Sequence, residues 1–196
     1  MSVERSEWDL VRLAGSGDKE AFRELVERYQ RRVLAVVMGM LHDREAALEV
    51  TQETFIKAFR SIGRFKGDAS FYTWIYRIAV NLAIDHQRRE WRRPLAESTR
   101  NNNNSESPPE DILERVRDQN PRGDPFEATK DAELRERVRQ AIDELTPDHR
   151  AVILLRELEG LSYEEISRVM QCSKGTVMSR LHYARKKLQA RLKEFM

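Results

Sequence analysis

The sequence predicts an all-α chain, two small helical domains joined by a flexible linker, with a helix-turn-helix in the second domain. Three observations lead there. Apolar residues recur at spacings of three and four along most of the chain and nowhere alternate with period two over a useful length, so helices are expected and strands are not. The composition changes abruptly over residues 94–124, which hold four consecutive asparagines at 101–104, Pro108, Pro109, Pro121 and Gly123. Residues 162–188 combine a capping-box spacing, a short turn and a basic amphipathic segment. The expected division is 1–93, a linker at 94–124, and 125–196.

Each element has its own signal. Asp18 is an N-cap candidate, and after it Phe22, Leu25, Val26, Tyr29, Val33, Val36, Val37 and Met40 follow helical spacing. A break at His42 and Asp43 precedes a second helix with Val50, Thr54, Phe55, Ala58 and Phe59 inward, ending near Gly63. Residues 64–70 read as a loop from their Gly, Asp and Ser, and a third helix runs from Phe71 to Glu90 with Phe71, Ile75, Ile78 and Leu82 as its buried stripe. The acidic linker has too little apolar content for a core, although Ile112, Leu113 and Val116 could form one turn on a partner. Periodicity resumes with Phe126, Leu134, Val138, Ile142 and Leu145, and Thr146-Pro147 opens the next helix with proline at its first position.

Composition excludes several classes. A single cysteine, Cys172, rules out an intrachain disulfide and fits a reducing compartment. The charged N-terminus lacks a signal-peptide core, and the apolar run at 33–41 is too short to span a bilayer, so a cytoplasmic chain is expected. His42, His86, His149 and His182 are scattered, no Cys/His cluster or Gly-rich phosphate loop occurs, and neither catalysis, a metal nor a cofactor is expected. The net charge of +2 hides a concentration: from Lys174 onward seven basic residues stand against Glu194 alone.

That basic stretch has an order. Ser162 and Glu165 have capping-box spacing and start a short helix that buries Ile166, Val169 and Met170. Gln171, Cys172 and Ser173 make the turn, and Ser173 can cap the next helix, in which Val177, Leu181, Ala184 and Leu188 form one stripe. The opposite face carries Ser179, His182, Tyr183 and Lys186, flanked by Met178 and Arg185, the design for major-groove entry. A solvated basic face on a bundle helix explains the amphipathicity but not its coincidence with capping box, turn and one-sided charge. Lys174, Arg185, Lys186 and Lys187 would anchor phosphates, and the front face would read bases. Upstream, Arg77, Asn81, Asp85 and Arg88 form a polar stripe, beside a loop that gathers Phe65, Lys66, Tyr72 and Trp74, the aromatics and cation that stack unpaired bases. The plainer reading, that these aromatics are core, applies to Phe71 and extends to Trp74.

Residues 64–81 (RFKGDASFYTWIYRIAVN), 156–167 (RELEGLSYEEIS) and 175–181 (GTVMSRL) together resemble the extracytoplasmic-function sigma factors of bacteria, most of all the envelope-stress, sigma-E type. The resemblance covers nearly the whole chain outside the linker. It implies two helical domains, sigma-2 and sigma-4, and a transcription initiation factor with core RNA polymerase, promoter DNA and an anti-sigma factor as partners. On these residues it implies that Thr51, Gln52, Glu53 and Phe55, with Glu49 before them, meet the polymerase clamp. Arg64, Phe65, Lys66, Gly67, Asp68, Ser70, Tyr72 and Trp74 would capture a flipped base of the −10 element, with Arg77, Asn81, Asp85 and Arg88 lining it. Ser173, Lys174, Gly175, Thr176, Met178, Ser179, Arg180, His182, Tyr183, Arg185 and Lys186 would read the −35 element. The linker would thread toward the polymerase cleft. The chain departs from the family pattern at Leu48-Glu49-Val50, where an acidic pair and Leu are usual, at Met178 and Tyr183, where basic residues are common, and in its asparagine run. The rivals are a response-regulator-like activator, whose sensor domain would need strands, and an adaptor that binds polymerase without touching DNA.

Overall fold

The structure, a computed structural model, describes residues 5–41, 43–92 and 125–193. The expected linker at 94–124 lies outside them, as does the side chain of Phe126. Among the described residues every regular element is helical. Helix α1 (Glu7–Gly15) is followed by α2 (Lys19–Met40), α3 (Arg44–Ser61), a 3₁₀ turn (Ile62–Arg64) and α4 (Phe71–Arg92). The second half holds α5 (Pro125–Asp143), α6 (Pro147–Glu157), α7 (Tyr163–Met170) and α8 (Lys174–Leu192). No helix among these residues is long and apolar enough to cross a membrane.

Side-chain caps set the helix starts. Asp18 accepts from the Glu20 and Ala21 amides, Asp43 from Ala46, Thr146 from His149 and Ser173 from Thr176, which satisfies amides that lack a partner in the first turn. Ser162 and Glu165 form the full capping box at the start of α7. Helix α7 ends at Gln171, whose left-handed φ of 50° turns the chain sharply into α8. Helix α1 was not legible in the periodicity; Ser6 caps it through the Asp9 amide, and it buries Leu10, Val11 and Ala14.

Helices α1–α4 pack around Leu25, Val33, Val36, Met40, Phe71, Ile75 and Tyr76, and α6–α8 around Leu155, Leu161, Ile166, Val169, Val177 and Leu181. Two residues of the expected inward set are exposed and several others are only half-buried. Phe59 is 43 % exposed, because α3 turns it to the rim, where it meets the Phe22 ring edge-on at 5.0 Å. Leu134 is 52 % exposed on α5, whose Ala141 is buried, and Val26, Ile78, Val138, Ile142, Met170 and Leu188 are only half-buried.

The two halves share one continuous core. Gly39 on α2 lets α6 approach so closely that a Cβ there would lie 2.8 Å from Leu154 Cδ2. The Met40 carbonyl, at the end of α2, accepts from Arg150 Nη1 at 2.8 Å and from Gln87 Nε2 at 2.6 Å. Arg32 pairs with Glu159 at 2.7 Å, and the Tyr72 hydroxyl donates to Glu165.

Candidate nucleic-acid interface

The first surface is built on the start of α4. Residues 64–70 leave the 3₁₀ turn and run to Ser70, whose Oγ lies 2.7 Å from Thr73 Oγ1 and accepts from the Thr73 amide. Gly67 turns the loop at φ 78°, a conformation that favours glycine. Behind it a cleft of about 220 Å³ is lined by Arg64, Phe65, Lys66, Asp68, Trp74 and Arg77, with Arg168 of α7 at its edge. Four cations against one carboxylate give it a positive field suited to a phosphate backbone. Phe65 and Trp74 pack with ring centroids 5.2 Å apart, and Phe71, fully buried, lies 5.6 Å from Trp74.

Tyr72 and Trp74 thus stand on the first turn of α4 rather than in the loop, and both are half-buried. Burial, and then the hydrogen bond to Glu165, raise the Tyr72 pKa, so the phenol stays protonated and donating. Along the same helix Asn81, Asp85 and Arg88 are exposed and Arg77 is half-buried, so the polar stripe faces outward, with Arg88 within 3.9 Å of Asp85.

The second surface is α8. Ser173 and Lys174 at its start, and Gly175, Met178, Ser179, His182, Tyr183, Arg185 and Lys186 along it, are exposed, whereas Val177, Leu181 and Ala184 are buried. Met178 and Tyr183 are the most prominent apolar groups, 54 % and 62 % exposed. Tyr183 stands edge-on between the His149 and His182 rings, 6.3 and 5.9 Å from their centres.

Two expected reader residues are held otherwise. Arg180 is half-buried, pairs with Asp148 at 3.1 Å and lies 3.8 Å from Cys172 Sγ, so its charge is committed to the fold. Thr176 is half-buried and its hydroxyl lies 2.9 Å from Ser173 Oγ. Arg185 is exposed but bridges to Glu157 at 2.8 Å, a hydrogen bond that raises its pKa.

The third surface is the outer face of α3. Thr51 and Phe55 are buried, and the Thr51 hydroxyl donates to the Ala47 carbonyl at 2.7 Å. Neither side chain is offered to a partner. Exposed Leu48, Gln52, Ile56 and Phe59 share one stripe at i, i+4, i+8 and i+11, with Glu49 and Glu53 beside it.

Comparison with known proteins gives these surfaces a common context. Residues 25–93 match the model of Sigma-70 region 2 and residues 135–188 that of Sigma-70 region 4. The chain is 38 % identical over 196 residues to the RNA polymerase sigma-H factor of Pseudomonas aeruginosa, covering all of this chain and 98 % of that one. It is 38 % identical over 201 residues to the ECF RNA polymerase sigma-E factor of Haemophilus influenzae, covering both chains fully. The chain belongs to the extracytoplasmic-function sigma factors of the sigma-70 family.

Among solved structures, CnrH, in a complex with the cytosolic domain of CnrY, superposes with a TM-score of 0.68 at 25 % identity, over 97 % of this chain and 99 % of that one. The sigma factor RpoE of Bartonella quintana, solved with the anti-sigma factor NepR, shares the fold with a TM-score of 0.67 at 21 % identity over 89 % of this chain. This sigma factor is accordingly a transcription initiation factor that binds core RNA polymerase and directs it to promoters. Sequence reasoning named the buried Thr51 and Phe55 of α3 and passed over Leu48, Ile56 and Phe59, because a motif marks positions and not the face they occupy. The apolar residues left over from the core stripe of α3 were the available signal.

Proposed function

We propose that this sigma factor divides promoter recognition between its two halves. Residues 1–93 open and read the −10 element, residues 125–196 grip the −35 element, and residues 94–124 tether them. The observation that carries the reading is the cationic, aromatic-walled cleft at 64–77, held at the start of a helix whose exposed face continues as Asn81, Asp85 and Arg88. A single strand would lie along that stripe while one flipped base enters the cleft, its unpairing cost of a few kcal/mol offset by stacking and hydrogen bonds.

On α8 the exposed front face supports base contacts from Ser179, His182, Tyr183 and Met178, and phosphate contacts from Lys174, Lys186 and Arg185. The stripe of Leu48, Gln52, Ile56 and Phe59 on α3 is the surface for the polymerase clamp. The solved relatives CnrH and RpoE are bound by CnrY and NepR, which supports an anti-sigma partner for this chain as well.

Mapping transcript starts after overexpression, followed by transcription from those promoters with purified core polymerase, tests the whole reading. The expected result is a shared pair of sequence elements upstream of the starts. On such a promoter Asn81→Ala lowers open-complex formation and leaves core binding intact. Unchanged opening removes Asn81 from the site, and failure of the wild-type protein to direct transcription from any native template removes the reading itself.

A further inference from the structure

Helix α1 lies outside the segment that matches region 2, and none of the readings above gives it a task. It packs on α2 through Leu10, Val11 and Ala14, and it also reaches the segment around the loop. At its C-terminal end Gly15 approaches the turn before the loop: a Cβ there would lie 3.6 Å from the Ile62 carbonyl and 3.8 Å from Gly63 Cα. At its N-terminal end Trp8 covers Gly67, so closely that a Cβ on Gly67 would lie 2.8 Å from the indole Cζ3 and 2.9 Å from Cη2. One residue earlier, the Glu7 carboxylate accepts from the Phe71 amide at 3.3 Å, the first amide of α4, and from the hydroxyl of Tyr29, which burial and Glu7 hold protonated. A single nine-residue helix thus touches residues 62–63, 67 and 71, which lie just before, within and just after the 64–70 loop.

Trp8 is 57 % exposed although it is the largest side chain on α1, and burial alone does not explain it there. What it touches does. Gly67 sits at φ 78°, and a glycine at a loop tip is free to leave that conformation unless something holds it. The indole supplies the hold without lining the cleft, which is walled by Phe65 and Trp74. The Glu7 carboxylate holds the other end, where negative charge at a helix N-terminus is favourable.

We propose that α1 is a splint for the 64–70 loop, with Trp8 and Glu7 as positioning residues that preset the cleft for a flipped base. The inference rests on the reading of that cleft as the base-capture site. A preset loop avoids the ordering cost that a mobile one would meet at the moment of capture. Without the splint the loop would capture more slowly and discriminate less among bases, while α3 and α8 would be unaffected.

The test uses the full-length protein with core polymerase on a promoter found by transcript-start mapping, and on the same promoter with the captured base replaced. Trp8→Ala, Trp8→Phe and Glu7→Gln are compared with Lys66→Ala and Asp68→Ala. Permanganate reactivity reports opening, a labelled-core titration reports polymerase affinity, and thermal melting reports folding. The expected result for Trp8→Ala is opening reduced on the order of ten-fold, as for a recognition group displaced by a fraction of an ångström. The preference for the cognate base falls toward unity, core affinity is unchanged, and Trp8→Phe restores most of both. Equal opening and preference in Trp8→Ala and wild type, with both lowered in Lys66→Ala and Asp68→Ala, overturns the splint and leaves the cleft reading standing. Parallel loss of core affinity and melting temperature in Trp8→Ala, without rescue by Trp8→Phe, also overturns it. Wild-type opening and preference in the loop and splint variants alike overturns the cleft reading, and the splint with it.

Discussion

Arg180, Tyr183 and Lys186 lie within seven residues on α8 and meet different physics. Arg180 is drawn inward to Asp148, so truncating it leaves a partly buried carboxylate without its cation. Arg180→Ala should therefore cost about 1 kcal/mol of stability, read by thermal or urea melting. Lys186 is exposed on the same helix and is a point charge for phosphate. Lys186→Ala should weaken DNA binding on all sequences alike and flatten the log–log salt dependence by about 0.9. Tyr183 offers a broad, half-polar ring, and Tyr183→Ala should change the ranking of −35 sequences more than the salt slope. Competition binding with variant duplexes at several salt concentrations separates the last two, and identical responses would refute the division into reader and anchor. The sequence placed all three on one helix through its apolar stripe. It did not separate Arg180 from the rest, because Asp148 lies 32 residues away and only the packing of α6 on α8 brings the pair together.

At the scale of elements, the ends of helices carry most of the polar design. Arg150 on α6 is 4 % exposed and donates to the carbonyls of Ile142 and Asp143 at the end of α5, of Leu145 just beyond it, and of Met40 at the end of α2. Burial lowers its pKa from the usual arginine value, yet the ring of carbonyls keeps the cation satisfied. Arg150→Met should preserve the packing volume, remove these hydrogen bonds and destabilise the fold by roughly 2 kcal/mol in urea melts.

The capping box of α7 gives a pH dependence. Burial, the largest influence on Glu165, pushes its carboxyl up, but the hydrogen bonds from Tyr72 and from the Ser162 amide and hydroxyl outweigh it and hold the pKa below the usual 4.5. A depressed folded-state pKa means that this stabilisation is fully present above pH 4.5 and is lost as the pH falls through the lower folded value. The melting temperature of the wild type should therefore drop more steeply below that pH than the melting temperature of Glu165→Gln.

Caps of this kind made α2, α7 and α8 legible through Asp18, Ser162 and Ser173, whereas the break at His42 and Asp43 marked α3 and Pro147 marked α6. Helix α1 escaped because nine residues give its stripe barely two turns in which to repeat.

For the whole molecule, the decisive contacts join the halves and were invisible in the sequence, because they run through a backbone carbonyl at Met40 and the missing side chain of Gly39. Neither leaves a periodic mark. The contacts matter for function because the closed packing occupies part of the proposed −10 surface: Tyr72 is bonded to Glu165, and Arg168 stands at the rim of the cleft. Any DNA that uses Tyr72 competes with α7, so its apparent affinity is reduced by the fraction of molecules that are open. Glu159 is the lever that shifts this balance without touching either DNA surface. Its side chain is 5 % exposed and it pairs with Arg32, which is 40 % exposed, so the pair is partly screened. Glu159→Gln should weaken the packing of the halves by roughly 1–2 kcal/mol. The halves should then separate more often, giving a larger radius of gyration in solution scattering with helix content unchanged, and binding to the −10 element should tighten in proportion to the added open fraction. A variant whose radius and promoter affinity both equal those of wild type would show that the closed packing does not compete with DNA.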